Sequence, residues 1–551
     1  MAGQSAGRNC RIEYTFARFQ DNTPFCDQLA SVFISLPFPR YQPVEGSGTT
    51  SAEIATNMEK LYVACDLGTR VGRIMLGTLQ NGTLVMGEVR RFANTPIEEK
   101  GSLSWDVARM HQEILFGLRD LGQQEAAVQS ISCTAWPSDY LLFSSDGSLL
   151  SPAFHFADPR GVDGAKRVQS KVAGGAAFIY AETGCPVVPA STLSQLAAES
   201  RRVKKAHCLL PIGDAFNYIF SGVPSVEICS ASATQVLNPV ARKWSENLID
   251  RLDLRRELFP LLANSGTKLG PLRADIAKDT GLEAVQVLVS CSHQSAAALA
   301  GLPLEPGQDW AYLHLGEDTI VGAELPTPLI NEVTRKLNYS NELCAGGTTN
   351  FYRRTPGLFI LNECKRYWAS QERDVSENVL PHLATTAPPF ESLINPDEPC
   401  FSEPGDMPLK VQAYCRETGQ EIPRKPGHIY RCVLESLALH YRKMVAELEV
   451  LTGRRFQRLY LLGAEENPLL NNFIANALQL PVTLASADAA ATGNVLLQSI
   501  ALGHIKSLPE GREIVRRSAR AQTIVPHPNS WDSAAERLLN LIGHSGEAVS
   551  A

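Results

Sequence analysis

Two adjacent polar residues, His293 and Gln294, lie between an apolar stretch and a run of small residues. Residues 285–289 are typical of a buried strand, and the alanine-rich residues 296–300 are typical of a small-residue helix. A corner between a strand and a helix places polar side chains at the mouth of an α/β crevice, where ligands bind. An imidazole there either contacts a ligand or makes a structural hydrogen bond, whereas a carboxamide cannot accept a proton near neutral pH. The corner therefore predicts a binding site without a base at position 294.

A polar turn that contains glycine is predicted near residue 70. Residues 61–65 and 73–79 indicate strands on either side of residues 66–72, and Asn81-Gly82 indicates a hairpin turn that follows. Such a turn can hold a phosphate, because its backbone N–H groups face the anion and glycine allows a close approach. Many structural hairpins have the same composition, so the turn alone leaves both interpretations open.

The same pattern recurs in the second half of the chain. Residues 310–325 indicate a strand, a polar turn at Gly316 and a second strand, after a natural interdomain connection over residues 304–309. Two such hairpins, one opening each half, are the layout of the actin-like ATPase fold, in which a nucleotide lies between two domains. The later elements predicted from the sequence are a strand over residues 459–463, a helix over 467–480 and a small-residue helix opening at 486–494.

Length and composition exclude several classes of protein. The 551 residues are enough for two or more domains, and no apolar run reaches the roughly 18 residues of a membrane span. The formal charge of −7 argues against nucleic-acid and membrane partners. The 13 cysteines lack metal-ligand or short-loop spacing, so we expect reduced thiols in a cytoplasmic protein. Residues 1–59 lack the pattern of a secretory signal, residues 42–55 indicate a flexible linker, and Met58 is a plausible alternative start.

Several segments, in the right order, resemble the FGGY carbohydrate kinases, and rhamnulokinases most of all. The resemblance runs from about residue 61 to about residue 528. The residues that carry it are Asp66, Leu67, Gly68, Gly72 and Arg73; residues 131–142 with Trp136 and Asp139; residues 158–160; residues 214–222; Glu227; residues 230–235; Ser292 and His293 with residues 296–298; residues 415–418; and Ala489, Ala490, Gly493 and Asn494.

The resemblance implies a fold, a reaction and a set of roles. The fold is α/β, with two actin-like ATPase (ribonuclease H-like) domains and an interdomain cleft. The reaction is transfer of the γ-phosphoryl group of ATP, with Mg²⁺, to a ketose such as L-rhamnulose, so the expected partner is a sugar or polyol. The implied domains are an N-terminal extension over residues 1–59, a sugar-side domain over 60–305, a nucleotide-side domain over 306–505 and a C-terminal tail segment over 506–551.

Roles carry over to individual positions of this chain. Asp66 corresponds to the metal-associated carboxylate, and Gln294 stands where the family has the aspartate that takes the proton from the sugar hydroxyl. The implied ATP contacts are Thr69, Arg70, Val71, Gly72, Arg73, Gly316, Glu317 and Gly463, and the implied sugar contacts are Trp136, His293, Gln294 and Ser295. By type alone, Trp136 is also typical of a core indole and His293 of a structural imidazole.

The chain departs from the family pattern at the positions that would carry out catalysis and hold ATP. Gln294 removes the base, a loss that costs about 10²–10⁴ in rate. Thr134 stands where rhamnulokinases place an acid, and Arg70 and Val71 replace small hydroxyl residues.

Two further departures concern the segments that would hold ATP. The second hairpin should carry a Ser-Gly-Thr turn, but it contains Leu315, Gly316, Glu317 and Asp318, whose carboxylates repel a polyphosphate unless a metal lies between them. The strand that should end in a glycine run continues instead from Gly463 into Ala464, Glu465 and Glu466.

Three functions from different classes follow from these patterns. The first is an FGGY-fold pseudokinase that retains a sugar or metabolite pocket. The second is an active sugar or polyol kinase of altered substrate, in which Asp139, Asp158 or Glu317 is a relocated base. The third, an actin-like chaperone or scaffold, is disfavoured because the resemblance extends through the substrate-side segments.

Overall fold

The computed structural model describes residues 59–371, 379–519, 521–527 and 531–548. The predicted extension over residues 1–59, with its linker and the alternative start at Met58, lies outside the described residues except for Glu59.

The first large sheet has six strands and begins with the hairpin predicted near residue 70. Lys60–Leu67 and Val71–Gln80 pair antiparallel, and we call them, with residues 68–70, the first hairpin. Asn81 and Gly82 have φ angles of 52° and 70°, which suit the tight turn into the next strand. The strands in spatial order are Thr267–Pro271, Gln286–Val289, Val128–Ala135, Lys60–Leu67, Val71–Gln80 and Thr83–Ala93.

The second large sheet has seven strands and repeats this arrangement. Trp310–His314 and Asp318–Leu325 pair antiparallel, and we call them, with residues 315–317, the second hairpin. Trp310–His314 also pairs parallel with Arg458–Leu462, as Lys60–Leu67 does with Val128–Ala135 in the first sheet. The strands in spatial order are Ser340–Leu343, Thr349–Pro356, Asp318–Leu325, Trp310–His314, Arg458–Leu462, Val482–Leu484 and Thr523–Ile524.

Helices surround the two sheets, and short strands form smaller sheets at their margins. The α-helices before residue 305 are Val107–Gln123, Arg160–Lys171, Gly175–Thr183, Thr192–Ala198, Ser200–Lys205, Ile212–Ser221, Ile228–Ala233, Glu246–Arg251, Ala274–Thr280 and Gln294–Ala300. Those after it are Glu332–Lys336, Phe359–Ser370, Val379–Thr386, Met407–Glu417, Pro426–Thr452, Pro468–Leu478, Ala489–Ala501, Leu508–Ser518 and Trp531–Ala548. The remaining short strands are Ile97–Glu99, Ser102–Trp105 and Ala153–Phe154; Tyr140–Phe143 and Cys208–Pro211; Val226–Glu227 and Leu262–Ala263; and Leu237–Asn238 and Lys243–Trp244. The 3₁₀-helices are Arg256–Leu258, Ala345–Gly347, Pro399–Phe401 and Ala464–Glu466.

Two helices that lie far apart in sequence pack backbone against backbone. A Cβ atom on Gly493 of Ala489–Ala501 would come 1.8 Å from the carbonyl oxygen of Ala297, and one on Gly301 would come 2.2 Å from that of Ala489. The same helix rests on the first sheet, where Gln498 donates to the carbonyl of Val63 at 2.9 Å. A late segment of the chain is therefore fixed beside the first hairpin.

The structure confirms the predicted α/β class with its two related sheets. The predicted strand-to-helix corner, from Gln286–Val289 to Gln294–Ala300, is present, as are the late strand Arg458–Leu462 and the helices Pro468–Leu478 and Ala489–Ala501. Residues after 505 contribute helices and the edge strand Thr523–Ile524 to the folded body. The domain boundaries at residues 305 and 505 stay predictions. Every helix in the described ranges is too short or too polar to cross a lipid bilayer.

Candidate active site

His293 holds the start of the corner helix and also reaches the second sheet. Its φ and ψ of −97° and 115° place it as the N-cap of Gln294–Ala300, and its Nδ1 accepts a hydrogen bond from the backbone N–H of Ala296 at 3.2 Å. Its Nε2 lies 3.2 Å from a carboxylate oxygen of Glu342. The acceptor role of Nδ1 leaves the ring proton on Nε2, which lies close to this carboxylate but makes no hydrogen bond with good geometry among the described residues.

Glu342 is buried and accepts a hydrogen bond from the hydroxyl of Tyr352 at 2.8 Å. Burial raises the pKa of Glu342, but His293 and the Tyr352 hydroxyl more than offset it, so the pKa lies below its usual value. His293 and Glu342 thus form a polar link between the corner and the second sheet.

Gln294 is engaged with the carboxylate at the end of the first hairpin strand. Its Nε2 donates to Oδ1 of Asp66 at 2.8 Å, and Arg73 donates to Oδ2 of the same carboxylate at 2.6 Å. Asp66 is only 3% exposed. Arg73 also donates to Asp488 at 2.6 Å and to the carbonyl of Ala487 at 3.2 Å. We call Gln294, Asp66, Arg73 and Asp488 the Asp66 network.

The strand next to Asp66 carries a buried hydroxyl at the position where the sequence resemblance implies an acid. Thr134 is directly opposite Asp66 in the parallel pairing of the two strands. Its Oγ1 is buried and has no hydrogen-bond partner among the described residues. Asp66 is therefore the one carboxylate of this residue pair.

The turns of the two hairpins face each other, as predicted from the two patterns. Arg70 in the first turn donates to Oε1 of Glu317 in the second at 3.3 Å, and Asn362 donates to the same oxygen at 3.0 Å. The Arg70 side chain is 79% exposed, so this ion pair contributes little to stability. The contact shows where the two turns approach each other. Oε2 of Glu317 is buried and without a hydrogen-bond partner among the described residues.

Gly463 lies against the base of the second hairpin. It has a φ of +70°, and a Cβ there would come 2.5 Å from the carbonyl oxygen of Leu315. Leu315 also donates its N–H to the carbonyl of Leu462 at 2.9 Å. Gly316 and Gly463, both predicted ATP contacts, are therefore neighbours.

The glycine at position 72 has a packing explanation. A Cβ on Gly72 would come 2.2 Å from the ring of Phe92 on the adjacent strand. At the turn, Gly68 donates to the carbonyl of Val71 at 2.9 Å, and Asn94 donates to the carbonyl of Gly68 at 2.8 Å. Both the packing role and the predicted phosphate role remain consistent with glycine here.

Trp136 belongs to a buried aromatic and acidic cluster. It is 5% exposed, its ring centroid is 4.4 Å from that of Trp105, and both indoles donate to Oδ2 of Asp139, at 2.9 and 2.6 Å. Gln195 donates to the other oxygen at 2.8 Å. Burial raises the pKa of Asp139 to about 6, although these donors and the Phe156 N–H act to lower it.

Asp158 is a buried carboxylate whose hydrogen bonds join two elements of the fold. It accepts from the Ser102 hydroxyl at 2.6 Å, the Leu103 N–H at 2.7 Å and the Arg160 N–H at 3.0 Å. It is 6% exposed, so it fixes the start of the helix Arg160–Lys171 to a neighbouring strand.

The structure brings together some of the predicted site residues and separates others. Asp66, Arg73 and Gln294 meet in one network, and Arg70 and Glu317 meet across the cleft. Trp136 and Asp139 bond to each other within their own cluster, not to the Asp66 network. Thr69 and Ser295 lie beside these groups in the chain, in the first turn and the corner helix, and their contacts with ligands stay predictions.

Three polar residues at the site were not identified from the sequence. Asp488 precedes a helix that the sequence did predict, so its place in the opening segment was a usable signal. Glu342 and Asn362 carry no such signal, because one lies in a strand and the other in a helix of ordinary composition.

Two family models and several known proteins match this chain. The N-terminal domain of the FGGY family of carbohydrate kinases matches residues 61–301, and the C-terminal domain of that family matches residues 311–502. The rhamnulokinase of Bacteroides thetaiotaomicron is 32% identical over 491 residues, which are 88% of this chain and 100% of the relative. The rhamnulokinase of Enterococcus faecalis is 33% identical over 477 residues, 85% of this chain and 95% of the relative.

Solved structures share the fold. A ligand-bound xylulose kinase from Lactobacillus acidophilus has a TM-score of 0.74 at 17% identity, covering 89% of this chain and 99% of its own. A glycerol kinase from Plasmodium falciparum with ADP has a TM-score of 0.71 at 11% identity, covering 89% and 98%. The two matched domains and the identity to full-length relatives lead to one conclusion: the chain belongs to the FGGY family of carbohydrate kinases.

Proposed function

We propose that this chain is a rhamnulokinase-like member of the family whose phosphoryl transfer is lost or strongly reduced, and which retains a site for a ketose or polyol. The observation that carries the proposal is the hydrogen bond from Gln294 Nε2 to Asp66 Oδ1 at 2.8 Å. Family kinases take the proton of the sugar hydroxyl with a carboxylate, and an amide cannot replace that base. Here the amide serves instead as a donor to the residue that should associate with metal.

The state of Asp66 argues against a well-formed Mg²⁺ site. Both of its oxygens accept hydrogen bonds, one from Gln294 and one from the Arg73 guanidinium. Arg73 is shared with Asp488 at 2.6 Å, so one guanidinium lies against two carboxylates. Mg²⁺ prefers carboxylate and water oxygens in near-octahedral geometry, and the Arg73 guanidinium, itself a cation, competes with it for Oδ2 of Asp66. The residues present therefore fit a metal-bound nucleotide poorly.

The second hairpin adds an electrostatic argument. Glu317 lies in the turn where small hydroxyl residues are expected, and it faces Arg70 across the cleft. A carboxylate at that point repels the phosphate oxygens of ATP, and Arg70 compensates through an exposed, weak ion pair. We therefore propose that ATP and Mg²⁺ bind weakly or not at all. We also propose a cytoplasmic location, consistent with free thiols at all the cysteines that the structure describes.

The second candidate function is an active sugar or polyol kinase with a relocated base. Glu317 is favoured over Asp139 and Asp158 because those two accept several hydrogen bonds in buried clusters. Glu317 lies at the cleft, with its side chain 37% exposed and with one oxygen lacking a hydrogen-bond partner among the described residues.

One experiment separates the two candidates. The purified full-length protein is incubated with ATP, Mg²⁺ and a panel of ketoses and polyols that includes L-rhamnulose, and ATP consumption is measured beside the Bacteroides thetaiotaomicron rhamnulokinase as positive control. We expect no turnover above background and no saturable heat of ATP binding in calorimetry. Turnover comparable with the control would refute the loss of catalysis, and its elimination by Glu317→Gln, but not by Asp158→Asn, would establish the second candidate.

A further inference from the structure

A compact group of sulfur and oxygen ligands lies below the His293 corner. Glu227 ends a short strand, Cys229 lies in the helix Ile228–Ala233, and Cys291 follows the strand Gln286–Val289, two residues before His293. All three residues are 0% exposed. Their ligand atoms lie within 4.8 Å of one another, and no other such group of three or more occurs in the described part of the chain.

The chemistry of this group matches a particular class of metal ion. Two thiolates and a carboxylate suit Zn²⁺, whereas Mg²⁺ and Ca²⁺ require oxygen ligands. Tetrahedral zinc with these ligands needs donor atoms roughly 3.5–3.8 Å apart, from bond lengths of about 2.0–2.3 Å. The three ligand atoms in the protein lie within 4.8 Å of one another, so they would have to move closer together to bind the ion.

The surrounding groups orient the ligands. The Ser265 hydroxyl donates to Oε1 of Glu227 at 2.7 Å and lies 3.8 Å from the sulfur of Cys229. The N–H of Ser230 donates to Oε2 of Glu227 at 3.1 Å. Hydrogen bonds of this kind fix the direction of ligating oxygens. The Cys291 thiol donates to the carbonyl of His293 at 3.5 Å, and this hydrogen bond would be given up when the sulfur binds a metal as a thiolate.

A second, independent observation is a buried carboxylate oxygen beside the group. Asp214 is 1% exposed and accepts the Glu227 N–H through Oδ1 at 3.1 Å. Its other oxygen, Oδ2, has no hydrogen-bond partner among the described residues. Two buried carboxylates next to two thiols are a costly arrangement without a cation.

We propose that Glu227, Cys229 and Cys291 bind one Zn²⁺ ion, and that Asp214, which lies outside this group of ligand atoms, turns its Oδ2 toward the ion as the fourth ligand. Binding forms two Zn–S bonds and two Zn–O bonds, and every proton held by the two thiols and the two carboxyl groups is released to solvent. The ion ties the His293 corner to the helix Ile228–Ala233 and to the short strand before it. The role is structural, and it is separate from the Asp66 network and from the question of catalysis.

The test uses the full-length protein expressed in zinc-supplemented medium and dialysed against EDTA. Elemental analysis should give about one zinc per chain. Cys229→Ser and Cys291→Ser should each remove it, and Cys364→Ser, a buried cysteine in the helix Phe359–Ser370, should retain it. Retention of zinc by both cluster variants, or a wild-type content far below one, would overturn the proposal.

A measurement on the wild-type chain covers the case in which the variants do not fold. Protein produced in cobalt-supplemented medium should show the intense near-ultraviolet absorption of cobalt–thiolate bonds. A spectrum with only weak cobalt bands would contradict the proposal. So would a mass two hydrogens lower, with a Cys229–Cys291 disulfide found by peptide mapping, since these sulfurs could not then ligate a metal.

Discussion

The side-chain amide of Gln294 donates to Oδ1 of Asp66 across 2.8 Å, and this contact joins the corner helix to the first hairpin. The two residues are separated by 228 positions in the chain. Arg73 and Asp488 extend the contact into a network with two carboxylates and one guanidinium. Gln294 and Arg73 together therefore engage both oxygens of Asp66, which bears on what a restored carboxylate at position 294 would do.

The first prediction concerns Gln294→Asp alone. The new carboxylate would stand next to Asp66, and two carboxylates in contact do not both ionise readily, so one of them would hold its proton near neutral pH. A base also cannot act on a γ-phosphoryl group that is not held in line with the sugar. We therefore expect no increase in ATP consumption with L-rhamnulose over the wild type.

A combined variant provides the control for this prediction. It adds Leu315→Ser and Glu317→Thr, which create a Ser-Gly-Thr turn, and Ala464→Gly with Glu465→Gly, which lengthen the glycine run after Gly463. Turnover should appear only in this variant. If Gln294→Asp alone restored turnover, the missing base would explain the inactivity of the wild type, and the ATP site would be shown to be intact.

The second prediction concerns Arg73. Its side chain is 13% exposed and bridges Asp66 and Asp488, so Arg73→Met leaves a buried, unbalanced carboxylate. We expect the free energy of unfolding to fall by about 3 kcal/mol. The matched control is Arg91→Met, since Arg91 pairs with Glu88 while 56% exposed, and it should cost about 1 kcal/mol or less. Equal effects in urea unfolding would contradict the structural importance of the Asp66 network.

The sequence predicted the hairpins and the corner because their signals are local. Short apolar runs, the Asn81-Gly82 turn and the small residues after Gln294 each indicate a neighbouring element. The contacts that define the site are not local. Asp488 lies 415 positions from Arg73, and Glu342 meets His293 only after the two sheets come together, so no pattern within one segment could indicate either contact.

Trp136 illustrates the same limit in another way. The family resemblance implied a sugar contact, whereas the residue type alone is also typical of a core indole, and the structure places its indole N–H on the buried Asp139, beside Trp105. Which partner a buried indole finds depends on segments distant in sequence, here the strand Ser102–Trp105. Its role as a substrate contact stays a prediction.

The third prediction concerns the close packing of two helices. Alanine normally stabilises a helix relative to glycine by about 1 kcal/mol, but a Cβ on Gly493 would come 1.8 Å from the Ala297 carbonyl oxygen. Gly493→Ala should instead lower the free energy of unfolding by about 3 kcal/mol. Gly87→Ala is the control, since the nearest atom to its Cβ would be 3.9 Å away and the change should stay within about 0.5 kcal/mol. A stabilised Gly493→Ala variant would contradict the helix contact.

The last prediction concerns pH and Asp139. Burial raises the pKa of this carboxyl from 3.8 in the unfolded chain to about 6, so between these values the folded protein holds a proton that the unfolded chain has lost. Stability therefore falls as pH rises through this window, by an amount on the order of 3 kcal/mol for a shift of this size. Asp139→Asn removes this titration. The free energy of unfolding of the variant, relative to that of the wild type, should therefore increase from pH 4 to pH 7.

Asp146 supplies the control for this measurement. The Ser144 hydroxyl lowers the pKa of this exposed carboxyl to about 2. The ionised Asp146 therefore makes its full contribution to the free energy of unfolding above pH 4, and this contribution is lost only as pH falls below that value. The difference between the wild type and Asp146→Asn should therefore stay constant from pH 4 to pH 7. The measurement is urea unfolding of the three proteins at closely spaced pH values. A constant difference for Asp139→Asn as well would mean that Asp139 ionises normally in the folded protein, and that its burial beneath Trp105 and Trp136 is incomplete in solution.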